Sequence, residues 1–207
     1  MTSQTEEKIK NIKRTFHLFM NGVTSRSMHE KGLDYKINWG VSLGHLRIMA
    51  KEYGQDHDLA VGLWRNDVRE CKILATMIMP SHEMSPSLAE EWLEQTNSLE
   101  IVEMCAFNLF QYLDSAVSLA CKWLKSDKLM FRICACHILN RLFIKDLKLD
   151  DAEVLNIIKN ISTSFACDNI SLKHAAVNCL RRLSLQNEIY AKYVEDAVKQ
   201  LNLDIFQ

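Results

Sequence analysis

The most regular feature of this chain is a five-position apolar stripe that returns at helical spacing. Phe131, Ala135, Ile138, Leu139 and Leu142 stand at i, i+4, i+7, i+8 and i+11, the buried face of an amphipathic helix. The same spacing returns 41 residues later as Leu172, Ala176, Cys179, Leu180 and Leu183. Its companions recur as well: Asp127 with Asp168 before the helix, Arg132 with Lys173, and Arg141 with Arg182. An Asp in that position is expected to cap the helix, because its carboxylate accepts the first free backbone N–H groups. Earlier copies of the stripe are Val102, Ala106, Leu109, Phe110, Leu113 and Cys71, Ala75, Ile78, Met79, His82. Between them the pattern predicts partner helices over about 86–95 with Trp92, 114–125 with Trp123, and 151–165 with Val154, Ile157, Ile158 and Ile161.

Helix pairs recurring every 30 to 45 residues or so describe a HEAT-like superhelical array, in which each pair buries its apolar face only against its neighbours. A compact helical bundle is the alternative. Pro80 and Pro86 bracket one loop, and Gly40, Gly44 and Gly54 punctuate the N-terminal third. No linker is visible elsewhere, so residues 1–207 read as a single domain.

Composition sharpens the class. Only 6 Gly and 2 Pro among 207 residues leave too little turn punctuation for an all-β or α/β chain, so the fold is expected to be all-α. The 7 Cys are odd in number, lie in apolar segments and form no CxxC pair, which suits small buried hydrophobes in a reducing compartment. The N-terminal stretch MTSQTEEKIKNIKRTF is polar and lacks the apolar run of a signal peptide. No apolar run reaches the roughly 20 residues that span a bilayer. A soluble, cytoplasmic protein with no membrane contact is the expectation.

Net charge is −1, but its distribution is uneven. Residues 1–72 hold 12 Lys/Arg against 9 Asp/Glu, residues 104–145 hold 6 against 2, and residues 83–103 hold six Glu with no base. The residue after the first stripe position is Lys72, Glu103, Arg132 and Lys173 in turn. In a stacked array such equivalent positions form a row, here three bases and one acid, suited to following a phosphate backbone. Ordinary solvated side chains flanking a core stripe would give the same row.

Three stretches carry a resemblance to the DNA-alkylation-repair (AlkD-like) family of HEAT-type proteins. They are GVSLGHLRIMAKEYGQDHDLAVGLW (Gly40–Trp64), VRECKILATMI (Val68–Ile78), and the ordered series NSLEIVEMC, KWLKSDKLMFRICA and SLKHAAVNCLRR. Together they cover about residues 35–190. The resemblance implies a HEAT-repeat DNA glycosylase that excises cationic alkylpurines and grips double-stranded, alkylated or distorted DNA in a basic groove. A carboxylate there stabilises the charge developing on the sugar, beside aromatic faces that favour cations. The family's Trp-x-x-x-Asp segment aligns with Leu99–Glu103, so Glu103 takes the catalytic acid's place and Leu99 replaces the aromatic. Glu is one methylene longer, and a positioning error of about 1 Å costs roughly 100-fold in rate. Ile133 falls where a DNA-contacting Arg is expected, and Asn178 at a second Trp position. These departures argue for weak or absent excision. Lys72, Arg132, Lys173, Arg181 and Arg182 are the expected phosphate contacts, and no cofactor is implied.

Two functions stay open at this point: a DNA-binding repair-family protein, or a non-catalytic scaffold for a protein partner or distorted DNA. The acidic 83–103 stretch suits a basic partner. Cys134-Ala135-Cys136-His137 points in diverging directions on one helix, so no metal is expected. Asp56-His57-Asp58 reads as a loop or N-cap. Trp39, Trp64, Trp92 and Trp123 read as packing residues, Trp64 being the one closest to a functional role because it ends the best-matching stretch.

Overall fold

A computed structural model describes residues 2–33 and 35–201. Among them the chain is helical, and its extended pairing is confined to an isolated bridge between Ile37 and Val68. Among the described residues no helix is long and apolar enough to cross a membrane. The helices fall into two compact units, Met1–Leu109 and Phe110–Gln207.

The first unit holds α1 (Ser3–Leu18), α2 (Gly22–Glu30), α3 (Leu43–Tyr53), α4 (His57–Trp64), α5 (Arg69–Ile78), α6 (Pro86–Glu94) and α7 (Leu99–Asn108). Helix α5 is its hub and packs on α3, α4 and α7. Its stripe residues Cys71, Ala75 and Ile78 are fully buried. The helix stops there because Pro80 follows, and the last expected stripe position, His82, is exposed in a short 3-10 turn. Gly54 closes α3 with φ of 67°, a conformation that favours glycine. Pro86 opens α6 at its first turn, where a missing N–H costs nothing, and Ser85 caps it by accepting from Leu88 N at 3.2 Å.

The second unit holds α8 (Ala116–Trp123), α9 (Leu129–Ile144), α10 (Asp151–Ser162), α11 (Ile170–Ser184) and α12 (Glu188–Gln200). Helices α9 and α11 pack directly on each other, α8 lies on α9, and α10 and α12 flank α11. The repeat register holds except at Leu142, which is half-buried while Phe143 is buried: Phe131, Ala135, Ile138 and Leu139 on α9 and Leu172, Ala176, Cys179, Leu180 and Leu183 on α11 are all buried. The expected partner helices appear as α6, α8 and α10. The capping expectation does not hold. Lys128 and Asn169 stand at the cap positions, and it is the Asn169 side chain that accepts from Leu172 N at 2.9 Å. Asp127 and Asp168 lie one residue too early.

None of the seven cysteines forms a disulfide, and five of them are buried. Burial pushes the Cys136 thiol up to about 12, so it stays protonated as a core group should. Asp56 caps α4 through Leu59 N at 3.0 Å and pairs with Lys8 at 2.8 Å, tying α1 to α4. Loss of an acidic cap costs about 1 kcal/mol. Asp56→Ala is therefore expected to lower unfolding stability by about that amount in urea titrations, and Asp56→Asn, which still caps, by less.

Candidate functional site

The sequence placed its candidates on the second helix of each pair, and the structure keeps them there. Lys72 and Glu103 lie on α5 and α7, which pack together in the first unit. Arg132 on α9 and Lys173, Arg181 and Arg182 on α11 belong to the packed pair of the second unit.

Lys72 is half-buried. Its ammonium lies 4.5 Å from the Trp64 ring centroid and reaches the Trp64 carbonyl at 3.4 Å. Burial lowers its pKa, and the charge of Asp67 only partly offsets that. Trp64 in turn stacks on Trp92 at 4.1 Å and 4°, and its indole N–H donates to Gln95 at 2.9 Å. Both rings are almost fully buried. Lys72 thus lies over the Trp64 ring of an aromatic stack, and Trp64 is a packing residue.

Glu103 is half-buried on α7. Burial raises its pKa first, and the like charge of Glu100, one turn earlier, adds to it. Leu99 begins the same helix, whereas Ile133 is 1% exposed inside the α9 core and presents nothing outward. Asn178 is exposed on α11.

Arg132 is partly committed to the fold. Its Nη2 donates to Thr163 Oγ1 at 2.8 Å and Ser164 Oγ at 3.0 Å, in the 3-10 turn after α10, while its Nε is buried without a hydrogen bond. Lys173 is half-exposed and Arg181 and Arg182 are exposed. Between them, α9 and α11 carry Arg132, Arg141, Lys173, Arg181 and Arg182 and not one Asp or Glu. Arg181 and Arg182 lie in the last turn of α11, where the helix dipole also favours cations.

A buried ionic group in the first unit escaped the sequence reading. Arg69, 1% exposed, grips Glu100 with two bonds, Nε to Oε2 at 2.8 Å and Nη2 to Oε1 at 2.6 Å. Its Nη1 donates to the Val41 carbonyl at 3.1 Å and to Glu70 at 3.3 Å. Glu70 has no exposed surface and accepts from the backbone N–H groups of Trp39 and Val41. Tyr35 donates its hydroxyl to Glu100 and shares a 2.7 Å bond with Ser98. Burial would raise the Glu100 pKa, but the bonds from Arg69 and Tyr35 outweigh it and hold the carboxyl below its ordinary value. The result fastens the 35–41 segment to the starts of α5 and α7. The available signal was the Arg69-Glu70 pair standing inside an otherwise apolar run.

Helix pairs whose second helices pack on one another within each unit, α5 on α7 and α9 on α11, define a HEAT-like all-α repeat protein. One solved structure is described as belonging to a new family of proteins related to the HEAT-like repeat DNA glycosylases, with affinity for branched DNA structures. It shares the fold at a TM-score of 0.81 and 15% sequence identity, over 92% of this chain and 81% of that one. A family model described as DNA alkylation repair enzyme matches residues 4–202, and the chain belongs to that family. No curated protein matches the sequence.

Proposed function

We propose that this protein binds double-stranded DNA that is distorted or branched, through phosphate contacts, without excising bases. The observation that carries this reading is the α9–α11 pair: five Lys/Arg and no carboxylate on two packed helices, with Arg181 and Arg182 exposed. Exposed cations gain affinity by neutralising phosphates and releasing their counterions, so binding is expected to fall steeply as salt rises. The solved relative's affinity for branched DNA supports the same direction. On this reading Arg181, Arg182 and Lys173 are the main contacts, Lys72 and Arg132 dividing their charge between packing and phosphate.

Glu103 is the group to test for catalysis. An excising carboxylate must be ionised to stabilise a sugar cation, and the Glu103 environment acts against ionisation. Neither Leu99 nor the core residue Ile133 supplies the aromatic or cationic neighbour that excision calls for. The protein incubated with DNA carrying labelled 7-methylguanine and 3-methyladenine is expected to release neither, and Glu103→Asp to be equally inert. Release that disappears in Glu103→Gln would establish the glycosylase instead. Salt-titrated binding to labelled duplex tests the other half: no affinity at low salt would favour a scaffold for a protein partner.

A further inference from the structure

The turn from α1 to α2 exposes an unusual run of apolar surface. Leu18 is 81% exposed, Phe19 42%, Met20 56% and Val23 82%, and Ile48 on α3 adds a fifth side chain at 55%. The Phe19 ring stacks on the His45 imidazole, with centroids 4.4 Å apart and planes 25° from parallel. His45 and Ile48 are three residues apart, so they share one face of α3. The chemistry around this corner is cationic. Residues 13–29 include three Lys/Arg and no Asp or Glu, and residues 40–51 include Arg47 and Lys51 and no acid, Glu30 and Glu52 following them. Arg14, Arg26 and Arg47 are exposed, and helical spacing puts Arg14 one turn from Leu18 and Arg26 one turn from Val23.

The corner is held in place although α2 buries none of its residues. Asn21 N donates to the Trp39 carbonyl at 2.8 Å, and Ser25 Oγ to the Asn38 carbonyl at 2.8 Å. Gly40 allows that approach: its φ is 71°, and a Cβ there would stand 2.3 Å from the Asn21 carbonyl oxygen. The 38–41 segment is itself fixed by Glu70 and Arg69. An exposed apolar tip is thus presented in a defined conformation by the buried ionic group beneath it.

We infer that the α1–α2 corner, Leu18, Phe19, Met20 and Val23 with His45 and Ile48, receives the unstacked bases at a branch point or helix distortion in DNA. This rests on the DNA-binding reading above and says where the distortion is recognised. A paired duplex hides its base faces, whereas a branch exposes apolar π-surfaces next to phosphates. The corner offers the complement of both: a Phe–His platform and apolar wedges for the bases, arginines for the backbone. An anionic lipid surface would also attract cations around an apolar tip, but it gives no use to a stacked aromatic pair and no reason for a rigid presentation.

The test uses the full chain with a fluorescein-labelled forked DNA carrying unpaired bases at the branch, and a paired duplex of equal length. Wild type is expected to prefer the fork. Phe19→Ala is expected to reduce fork affinity by about tenfold, the effect of one lost stacking ring, and to leave duplex affinity within about twofold. Phe19→Trp, which keeps a stacking face, restores the preference. Leu18→Ser/Val23→Ser, at sites too exposed to affect folding, lowers it independently. Equal binding of fork and duplex by wild type, or an unchanged preference in Phe19→Ala, overturns the inference while leaving duplex binding intact. Binding of neither DNA at low salt overturns the DNA reading and this one with it. Loss of binding by Phe19→Ala only to vesicles of phosphatidylserine and phosphatidylcholine overturns it in favour of a lipid surface.

Discussion

Arg69→Ala is expected to cost about 3–5 kcal/mol of unfolding stability, because it strands the carboxylates of Glu70 and Glu100 beneath the surface without their cation. Glu70 is wholly enclosed and keeps only the N–H groups of Trp39 and Val41. Glu100 retains Tyr35 but loses both arms of the guanidinium. Arg69→Lys restores a charge but not the fork, since an ammonium cannot hold two carboxylate oxygens and the Val41 carbonyl in one plane. It is therefore expected to recover only part of the loss. Urea unfolding followed by tryptophan fluorescence reads the effect directly, with Trp39 on the fastened segment as reporter. A cost under about 1 kcal/mol would mean that the group is no more than an ordinary surface pair.

The same network sets a pH dependence. The Glu100 pKa is depressed in the folded state, so its contribution is fully present above the ordinary carboxylate value and is lost as pH falls through the folded one. Stability should decline on acidification below about pH 4.5, the group's ordinary value. Glu100→Gln should flatten that part of the profile. It also removes an ionic partner from Arg69, so its stability at neutral pH is expected to fall while its acid sensitivity lessens.

How far the sequence reached depends on the length of chain each feature involves. A stripe at i, i+4, i+7, i+8 is a local signal, and it located α9 and α11, their buried faces and the partner helices. Capping turned on single residues. Asn169 caps α11 although Asp168 has the same propensity, because the backbone turns one position later than the pattern implied. The Arg69–Glu70–Glu100–Tyr35 group joins segments 65 residues apart, and nothing in Tyr35 or Glu100 alone announces a partner. Leu18 ends a helix whose Ile12 and Phe16 are buried, and Phe19, Met20 and Val23 lie beyond that end. Their exposure follows from where the helix stops, which apolar periodicity does not encode. The row Lys72, Glu103, Arg132, Lys173 was legible as a set of equivalent positions, but not the different work of each member. Lys72 covers Trp64, and Arg132 bonds Thr163 and Ser164.

That difference decides which charge reversal is informative. Arg132→Glu would remove two hydrogen bonds and bury a carboxylate beside Ser164, so weaker DNA binding could come from local damage. Arg181 and Arg182 are exposed in the last turn of α11, where reversal gives up a helix-dipole interaction of about 0.3–1 kcal/mol per charge but buries no carboxylate. Arg181→Glu/Arg182→Glu is therefore the cleaner test. If both side chains meet phosphates, the slope of log affinity against log salt should shrink by about 1.8, roughly 0.9 for each contact removed. Affinity at low salt should drop on the order of 10- to 100-fold, for fork and duplex alike, because phosphate contacts carry no base information. The Phe19 corner predicts the opposite pattern, a fork-specific loss with the salt slope unchanged. Measuring both variants on both DNAs thus separates the electrostatic surface of α11 from the apolar tip of α1 and α2. An unchanged salt slope in the double arginine variant would place the phosphate contacts elsewhere and remove the main support for the proposed interface.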